Sequence, residues 1–396
     1  MFGFRVTATD GAARCGVIST PHGDLATPGF FAVATRAALK GLDAEAARRA
    51  GVQALIANAY HLHVHPGVET VARAGGLHEF MGWDGVLATD SGGFQVFSLR
   101  HGQVADELKG RRRLPVGDDD GAQAVLVDED GADFRSYLDG SRHRFTPESN
   151  MALQEGLGAD IMFVLDECTP FHVDADYTRR ATERNLRWAR RCLDEFHARG
   201  MQARQALYGI VHGGVYQELR EASARSIAAM DFQGFGIGDC LGETKADWYR
   251  VVDRVCPLLP VERPRHLLGV GEPDDLIEGA LRGIDSFDCA MPTRLARHGQ
   301  ALHRDRPRFR LDLAPGARGE EDVPLEEGCD CRTCARFTRA YVHHLLKARE
   351  PLAISLLAEH NLRFTARLLE EVREAISGGA LAELRERYLG SRWSRA

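Results

Sequence analysis

The chain has 396 residues, 44% of them hydrophobic and 27% charged, with a formal net charge of −7. That is enough apolar material for a large core, and a β/α barrel routinely runs past ~250 residues as one unit. No stretch approaches the ~20 apolar residues of a membrane span. Met1–Asp10 carries no signal-peptide pattern, and nine cysteines, an odd number, disfavour a disulfide framework. A cytoplasmic protein is expected. An acidic chain has no general attraction for phosphate, so a nucleic-acid partner would have to be held by a local basic patch.

Eight short apolar runs recur along the chain: Phe30–Ala34, Gln53–Ala57, Val86–Thr89, Ile161–Leu165, Leu207–Val211, Phe235–Gly238, His266–Val270 and Ile284–Phe287. Most are rich in β-branched or aromatic residues and end at Gly, Asp or Asn, as buried parallel strands do. Between them, Thr178–Gly200, Glu218–Met230 and Pro273–Arg282 read as helices, the last opening on Pro-Asp-Asp. Eight alternations predict an α/β fold, a (β/α)8 TIM barrel, with a doubly wound open sheet as the alternative. Arg100–Asp133 breaks the rhythm with a basic run, Arg111–Arg113, and an acidic turn, Asp118–Asp120. It reads as a surface insertion, a solvated hairpin or mobile loop, unless its arginines meet RNA. Residues 305–328 look irregular. Helices are expected over Thr338–Lys347, Pro351–Ser377 and the start of Leu381–Ala396.

Barrel enzymes carry their chemistry at the carboxyl ends of the strands. The residues there are Asp90, Asp166, His212, Asp239 and Asp288, with glycines beside several of them. One acid after a strand is often a helix cap. Four on one rim suit chemistry at an anomeric carbon, where one carboxylate attacks C1′ and another moves a proton. A second constellation is Cys329-x-Cys331-x2-Cys334. Three thiolates leave one position in a tetrahedral zinc shell, for which His343, His344 and His360 are candidates. A closed shell of this kind has no water position and is structural. The chain thus divides into a catalytic barrel, 1–300, with its insertion near 100–133, and a zinc-binding segment with C-terminal helices packed on the barrel, 301–396. His61, His63 and His65 alternate in sequence and are read as packing or polar contacts in a loop. Cys168 and Cys289, beside the acids, are read as packing residues, and Trp83, Trp188 and Trp248 as core.

Nine stretches together resemble the tRNA-guanine transglycosylases, the queuine tRNA-ribosyltransferase family of bacterial type. They are Asn58-Ala-Tyr-His-Leu, Asp90-Ser-Gly-Gly-Phe-Gln-Val, Leu138-Asp-Gly-Ser, Asp166-Glu-Cys-Thr-Pro, Gly269-Val-Gly-Glu-Pro-Asp-Asp, Phe287-Asp-Cys, Pro292-Thr-Arg, the Cys329 cluster and Glu359-His-Asn. The resemblance implies a pentosyltransferase that exchanges the wobble guanine of a GUN-anticodon tRNA for a 7-deazaguanine. Asp288 is implied as nucleophile and Asp90 as general acid/base. Asp166, Phe94, His212, Asp239, Gly238, Leu268 and Gly269 would bind the base, Phe94 standing where the family usually stacks a Tyr. Arg294 and Arg297 would hold the flanking RNA of the anticodon loop. Cys329, Cys331, Cys334 and His360 would bind one structural Zn2+ per chain. A homodimer is also implied, with no membrane partner.

Two positions depart from the family pattern. Val211-His212-Gly213-Gly214 has His where the family commonly has Gln, and Gly238-Asp239-Cys240 replaces a Gly-Gly-Leu run. His212 could still donate to the carbonyl of the base, and Asp239 could pair with a cationic aminomethyl group. The incoming base is therefore open between 7-aminomethyl-7-deazaguanine, queuine and another deazaguanine. The alternatives are a paralogue with altered base or nucleic-acid specificity, a barrel glycoside hydrolase, and a non-catalytic RNA-binding subunit.

Overall fold

The computed structural model describes residues 2–100, 125–169, 173–239, 241–314 and 321–390. Eight parallel strands close into a barrel: Gly29–Val33, Ala54–Asn58, Val86–Asp90, Ile161–Phe163, Ala206–Val211, Gly234–Ile237, Arg265–Leu267 and Ser286–Cys289. Each matches one of the eight apolar runs, and their order around the barrel is their order in the chain. The open-sheet alternative is thereby set aside. The strands read as continuous apolar runs because both faces are covered: every residue of Ala54–Asn58 and of Ala206–Val211 is buried. Two compact units make up the chain, one mainly Ala57–Leu268 and one mainly Asp24–Ile56 with Gly269–Ala396.

In the first unit the helices start where side chains satisfy the free backbone N–H groups. Thr146 and Ser149 form a reciprocal capping box at Pro147–Leu157, as do Thr244 and Asp247 at Lys245–Val255. The helix expected from Thr178 begins three residues earlier, at Ala175, because Asp174 accepts the N–H of Tyr177 at 2.7 Å. Trp83, Trp188 and Trp248 are core residues, as expected. The insertion is more ordered at its end than a solvated hairpin. Val125–Val127, Ala132–Arg135 and Arg142–Phe145 form an antiparallel sheet. Its alternation puts Ala132, Phe134 and Phe145 inside, so the sheet runs past Asp133. Residues 101–124, including Arg111–Arg113 and Asp118–Asp120, lie outside the described residues.

In the second unit the helix Leu352–Ser377 carries the core, with Leu356, Leu357 and Ala358 packed with Val342, Leu345 and Leu325. Arg339–Lys347 is helical as expected, capped by Thr338, and the last helix is Leu381–Leu389. The stretch expected to be irregular contains a short strand, Arg310–Asp312, paired antiparallel with Gln300–Leu302. Buried Asn361 secures this region. It accepts the N–H of Leu302 at 2.7 Å and donates to the carbonyls of Pro292 and Gln300 at 3.0 Å each. Among the described residues no helix is long and apolar enough to cross a membrane.

A buried ion pair also holds this unit. Arg14 Nε donates to Asp285 Oδ1 at 2.8 Å and its Nη2 to Oδ2 at 2.5 Å, with Asp285 0% exposed. Removing one partner strands the other charge in a dry site. Arg14→Met should therefore cost about 3–5 kcal/mol in urea denaturation, and Arg14→Met with Asp285→Leu should regain most of it. A loss below ~1 kcal/mol in the single variant would show that the pair does not hold the fold.

Candidate active site and metal centre

Asp90 ends the third barrel strand, and its carboxylate is held on both oxygens. Asn58 Nδ2 donates to Oδ2 at 2.8 Å and the Gly92 N–H donates to Oδ1 at 3.0 Å. Asn58 cannot swing away easily, since its own Oδ1 caps the helix Ala59–Val64 by accepting the His61 N–H at 2.9 Å. The turn after it requires glycine. Gly92 has φ +79°, and a Cβ there would lie 2.7 Å from the Tyr60 backbone N. A Cβ on Gly93 would lie 2.3 Å from the Asp166 carbonyl oxygen. A buried polar ladder supports the turn from beneath: Thr89 donates to Gln154, Gln154 to Asn150, and Asn150 to the Ser91 carbonyl, at 2.8, 2.7 and 2.8 Å.

Asp166, beyond the fourth strand, is buried and bonded at both oxygens. Ser91 Oγ donates to Oδ1 at 3.0 Å. His212 Nε2 lies 2.9 Å and Cys168 Sγ 3.3 Å from Oδ2. His212 Nδ1 is buried with no hydrogen-bond partner. Burial, with the nearby Asp166 and Asp239 carboxylates, pushes the Cys168 thiol well above its usual range, which disfavours the thiolate form needed of a nucleophile. Phe94, on the helix Gly93–Arg100, is half-buried.

Asp239 sits at φ +70°, a left-handed position that ordinarily favours glycine. Its carboxylate accepts four bonds from the protein: Thr169 N at 2.8 Å, Thr169 Oγ1 at 2.7 Å, Gly213 N at 3.2 Å and Gly214 N at 2.8 Å. It braces the loops after the fourth and fifth strands. The expected pairing with an aminomethyl group thus meets a carboxylate already committed to the protein. Arg220 ties the ends of the fifth and sixth strands, donating to the carbonyls of Gly214, Val211 and Gly238 at 2.7, 3.0 and 2.8 Å. Gly238 leaves room for Ile210 and the half-buried Leu268, each 3.0 Å from a Cβ built there.

In the second unit Asp288 lies on the eighth strand, and Gly269 N donates to its Oδ1 at 2.8 Å. Gly269 has φ +74° and is exposed. Arg294 and Arg297 are exposed on the helix Met291–Arg297 that follows Asp288. None of Asp166, Asp239 and Asp288 caps the next helix, since those helices begin from Asp174, Thr244 and Ala290. The capping reading of these acids is therefore excluded. The sequence reading missed Asn58, Ser91 and Thr169, although all three lie within or beside the stretches it singled out.

Cys329, Cys331, Cys334 and His360 bring their four ligand atoms within 4.8 Å of one another. The three Sγ atoms lie 3.6, 3.6 and 3.3 Å from His360 Nδ1. A tetrahedron with metal–sulfur bonds near 2.3 Å and a metal–nitrogen bond near 2.0 Å has an edge of about 3.5 Å, so the set fits a metal ion. His360 Nε2 donates to the Leu302 carbonyl at 2.8 Å, so that in the neutral ring Nδ1 is the lone pair facing the three sulfurs. His343 is turned to the Leu313 carbonyl and His344 lies against Tyr341, so neither joins the group. His61 and His63 lie on a helix rather than the expected loop, and make polar contacts with Tyr137 and His143 at 3.2 and 3.0 Å.

Fold and site together define a barrel enzyme with carboxylates at its strand ends and a Cys3His metal-binding group. Residues 9–394 match the family described as Queuine tRNA-ribosyltransferase. The chain is 48% identical over 391 residues to the Queuine tRNA-ribosyltransferase of Roseiflexus sp. (strain RS-1), covering 96% of both chains. It is 45% identical to that of Symbiobacterium thermophilum, covering 96% of this chain and 88% of the relative. It is also 45% identical to that of Pelotomaculum thermopropionicum, covering 98% and 97%. The chain belongs to the queuine tRNA-ribosyltransferase family, a family of transferases, and the resemblance read from its motifs holds.

Asp239 supplies a stability prediction. Burial opposes its charge, but Arg220, His212, the Thr169 hydroxyl and the Gly214 N–H outweigh burial and hold the carboxyl below its usual range. Its contribution is therefore present above about pH 4 and lost as the pH falls through the depressed value. Asp239→Asn turns an NH2 toward donors and should cost roughly 1–3 kcal/mol in thermal unfolding at pH 7, narrowing toward zero in acid. Unchanged unfolding at pH 7 would remove the bracing role.

Proposed function

We propose that the protein exchanges the wobble guanine of a GUN-anticodon tRNA for a 7-deazaguanine through a ribosyl ester on Asp288. The base would be 7-aminomethyl-7-deazaguanine or queuine. The observation that carries this is family membership over nearly the whole chain, with Asp90, Asp166 and Asp288 each at the carboxyl end of a barrel strand. In this reading an Asp288 carboxylate oxygen bonds to C1′ as the C1′–N9 bond breaks, and the electron pair leaves with guanine. Asp90 gives that base a proton and later takes one from N9 of the incoming base, which displaces the ester oxygen. One glycosidic bond is lost and one formed, so protons and electrons balance. Splitting the exchange at a covalent intermediate replaces one hard displacement with two easier ones.

Asp166 would accept from the donor edge of the base, Phe94 would stack on its face, and His212, Asp239, Gly238, Leu268 and Gly269 would line the remainder. Leaving the anticodon stack costs a few kcal/mol, which contacts to flanking nucleotides offset. The exposed Arg294 and Arg297 suit that task. The same reading has the protein working as a homodimer in the cytoplasm. Asp288→Ala should lower labelled-guanine exchange into tRNA by at least about a thousandfold while tRNA binding, followed by filter retention, stays within about threefold. Equal loss of binding and exchange would count against the nucleophile role.

The metal we assign is zinc, since three thiolates and one imidazole suit it. With all four positions taken by protein, it would hold the Cys329–Cys334 turn to the helix Leu352–Ser377 rather than activate water. Chelation should lower the melting temperature by on the order of 10 °C and leave the far-UV spectrum of the barrel largely intact before melting. An unaltered melt after verified metal loss would overturn the structural role.

A further inference from the structure

Asp160 immediately precedes the fourth barrel strand, at the end opposite Asp166. Its side chain is 0% exposed. Burial opposes its charge, but hydrogen bonds from His78, His22 and the Leu87 N–H outweigh burial and hold the carboxyl below its usual range. Among the described residues no lysine or arginine pairs with this buried anion. Its side-chain partners are His22 Nδ1, 2.7 Å from Oδ1, with His78 Nε2 and the Leu87 N–H at 3.3 and 3.0 Å from Oδ2. Buried charges are ordinarily paired or bound to a cation.

The two histidines come from separate segments of the first unit. His22 stands in the turn between the strands Ala13–Thr20 and Gly23–Thr27. Thr20 Oγ1 holds that turn, donating to the Gly23 carbonyl at 2.9 Å and accepting the His22 N–H at 3.2 Å. His78 is buried on the helix Leu77–Met81, and its Nε2 also faces the Gly85 carbonyl at 3.2 Å. The two rings stack with centroids 3.6 Å apart, and one ligand atom from each of His22, His78 and Asp160 lies within 4.8 Å of the others. Two imidazoles and a carboxylate are a donor set for a divalent cation of the zinc class, with positions left for water. The His22 side chain is 43% exposed, which opens the set to solvent and gives that ring room to turn onto a shared ion. As donors to Asp160 the nitrogens carry hydrogens. As ligands they present lone pairs, the ring hydrogen of each moving to its far nitrogen.

We propose that His22, His78 and Asp160 form a second metal site, for a divalent cation of the zinc class, that clips the His22 turn to the amino end of the fourth strand. Barrel chemistry sits at the carboxyl ends of the strands, so the ion acts on stability rather than on the reaction.

The test is a zinc count on the full-length protein. Titrated against a chromophoric competitor at about pH 7.5, wild type should saturate at two ions per chain, one on the Cys3His group and one here, the second with a dissociation constant below about 50 µM. At about a hundredfold excess over that constant, the second ion should raise the melting temperature by roughly 2–6 °C. His22→Gln should bind one ion fewer and lose the rise, and His22→Ala serves if the glutamine variant fails to fold. Saturation of wild type at one ion, or a second ion held more weakly than that bound, overturns the proposal whatever the variants do. So does a folded His22 variant that binds as many ions as wild type with equal affinity.

Discussion

An acid taken out of bulk water must find its hydrogen-bond partners in the protein, and each acid at a strand end meets that demand from groups near it. Asp90 has Asn58 and the Gly92 N–H, Asp166 has Ser91 and His212, Asp239 has Thr169 and two glycine N–H groups, and Asp288 has the Gly269 N–H. Several donors are backbone groups that reach the acid only because glycine lets the chain turn tightly. The glycines of Asp90-Ser-Gly-Gly and His212-Gly-Gly are therefore part of the electrostatics. A methyl group on Gly93 or Gly213 would strike backbone atoms at 2.3 and 2.6 Å, displacing the loops that hold the charges.

The donors have to be held as firmly as the acids. Asn58 is fixed because the same amide caps a helix, and Ser91 because its carbonyl receives Asn150 at the end of a buried ladder. Such ladders are rigid only when every member is satisfied. In the second unit Asn361, next to the metal-group residue His360, ties the Gln300–Leu302 strand to the long C-terminal helix. Glu359-His-Asn thus joins a metal-binding group to a hydrogen-bond staple on one turn of helix.

The sequence disclosed the barrel because buried parallel strands leave uninterrupted apolar runs, and all eight runs became strands. It disclosed the metal group because three cysteines within one turn have few other uses, although spacing alone did not choose His360 over its rivals. What stayed hidden were partnerships between distant segments. Nothing in the local pattern says that Thr169 meets Asp239, or that Asn58 meets Asp90. Short elements were hidden as well: Arg310–Asp312 carries no period long enough to read, and the sheet after the insertion shows its alternation only over four residues.

The two departures from the family pattern look separate in the chain, at His212 and Asp239, yet they share one cluster. Asp239 grips the N–H groups of Gly213 and Gly214, the residues directly after the histidine, and its charge acts on the same ring. The Asp239 carboxylate thereby fixes the loop that carries the imidazole. Reading them as one linked change explains why an acid can occupy a left-handed position that ordinarily favours glycine: the strain is offset by four hydrogen bonds.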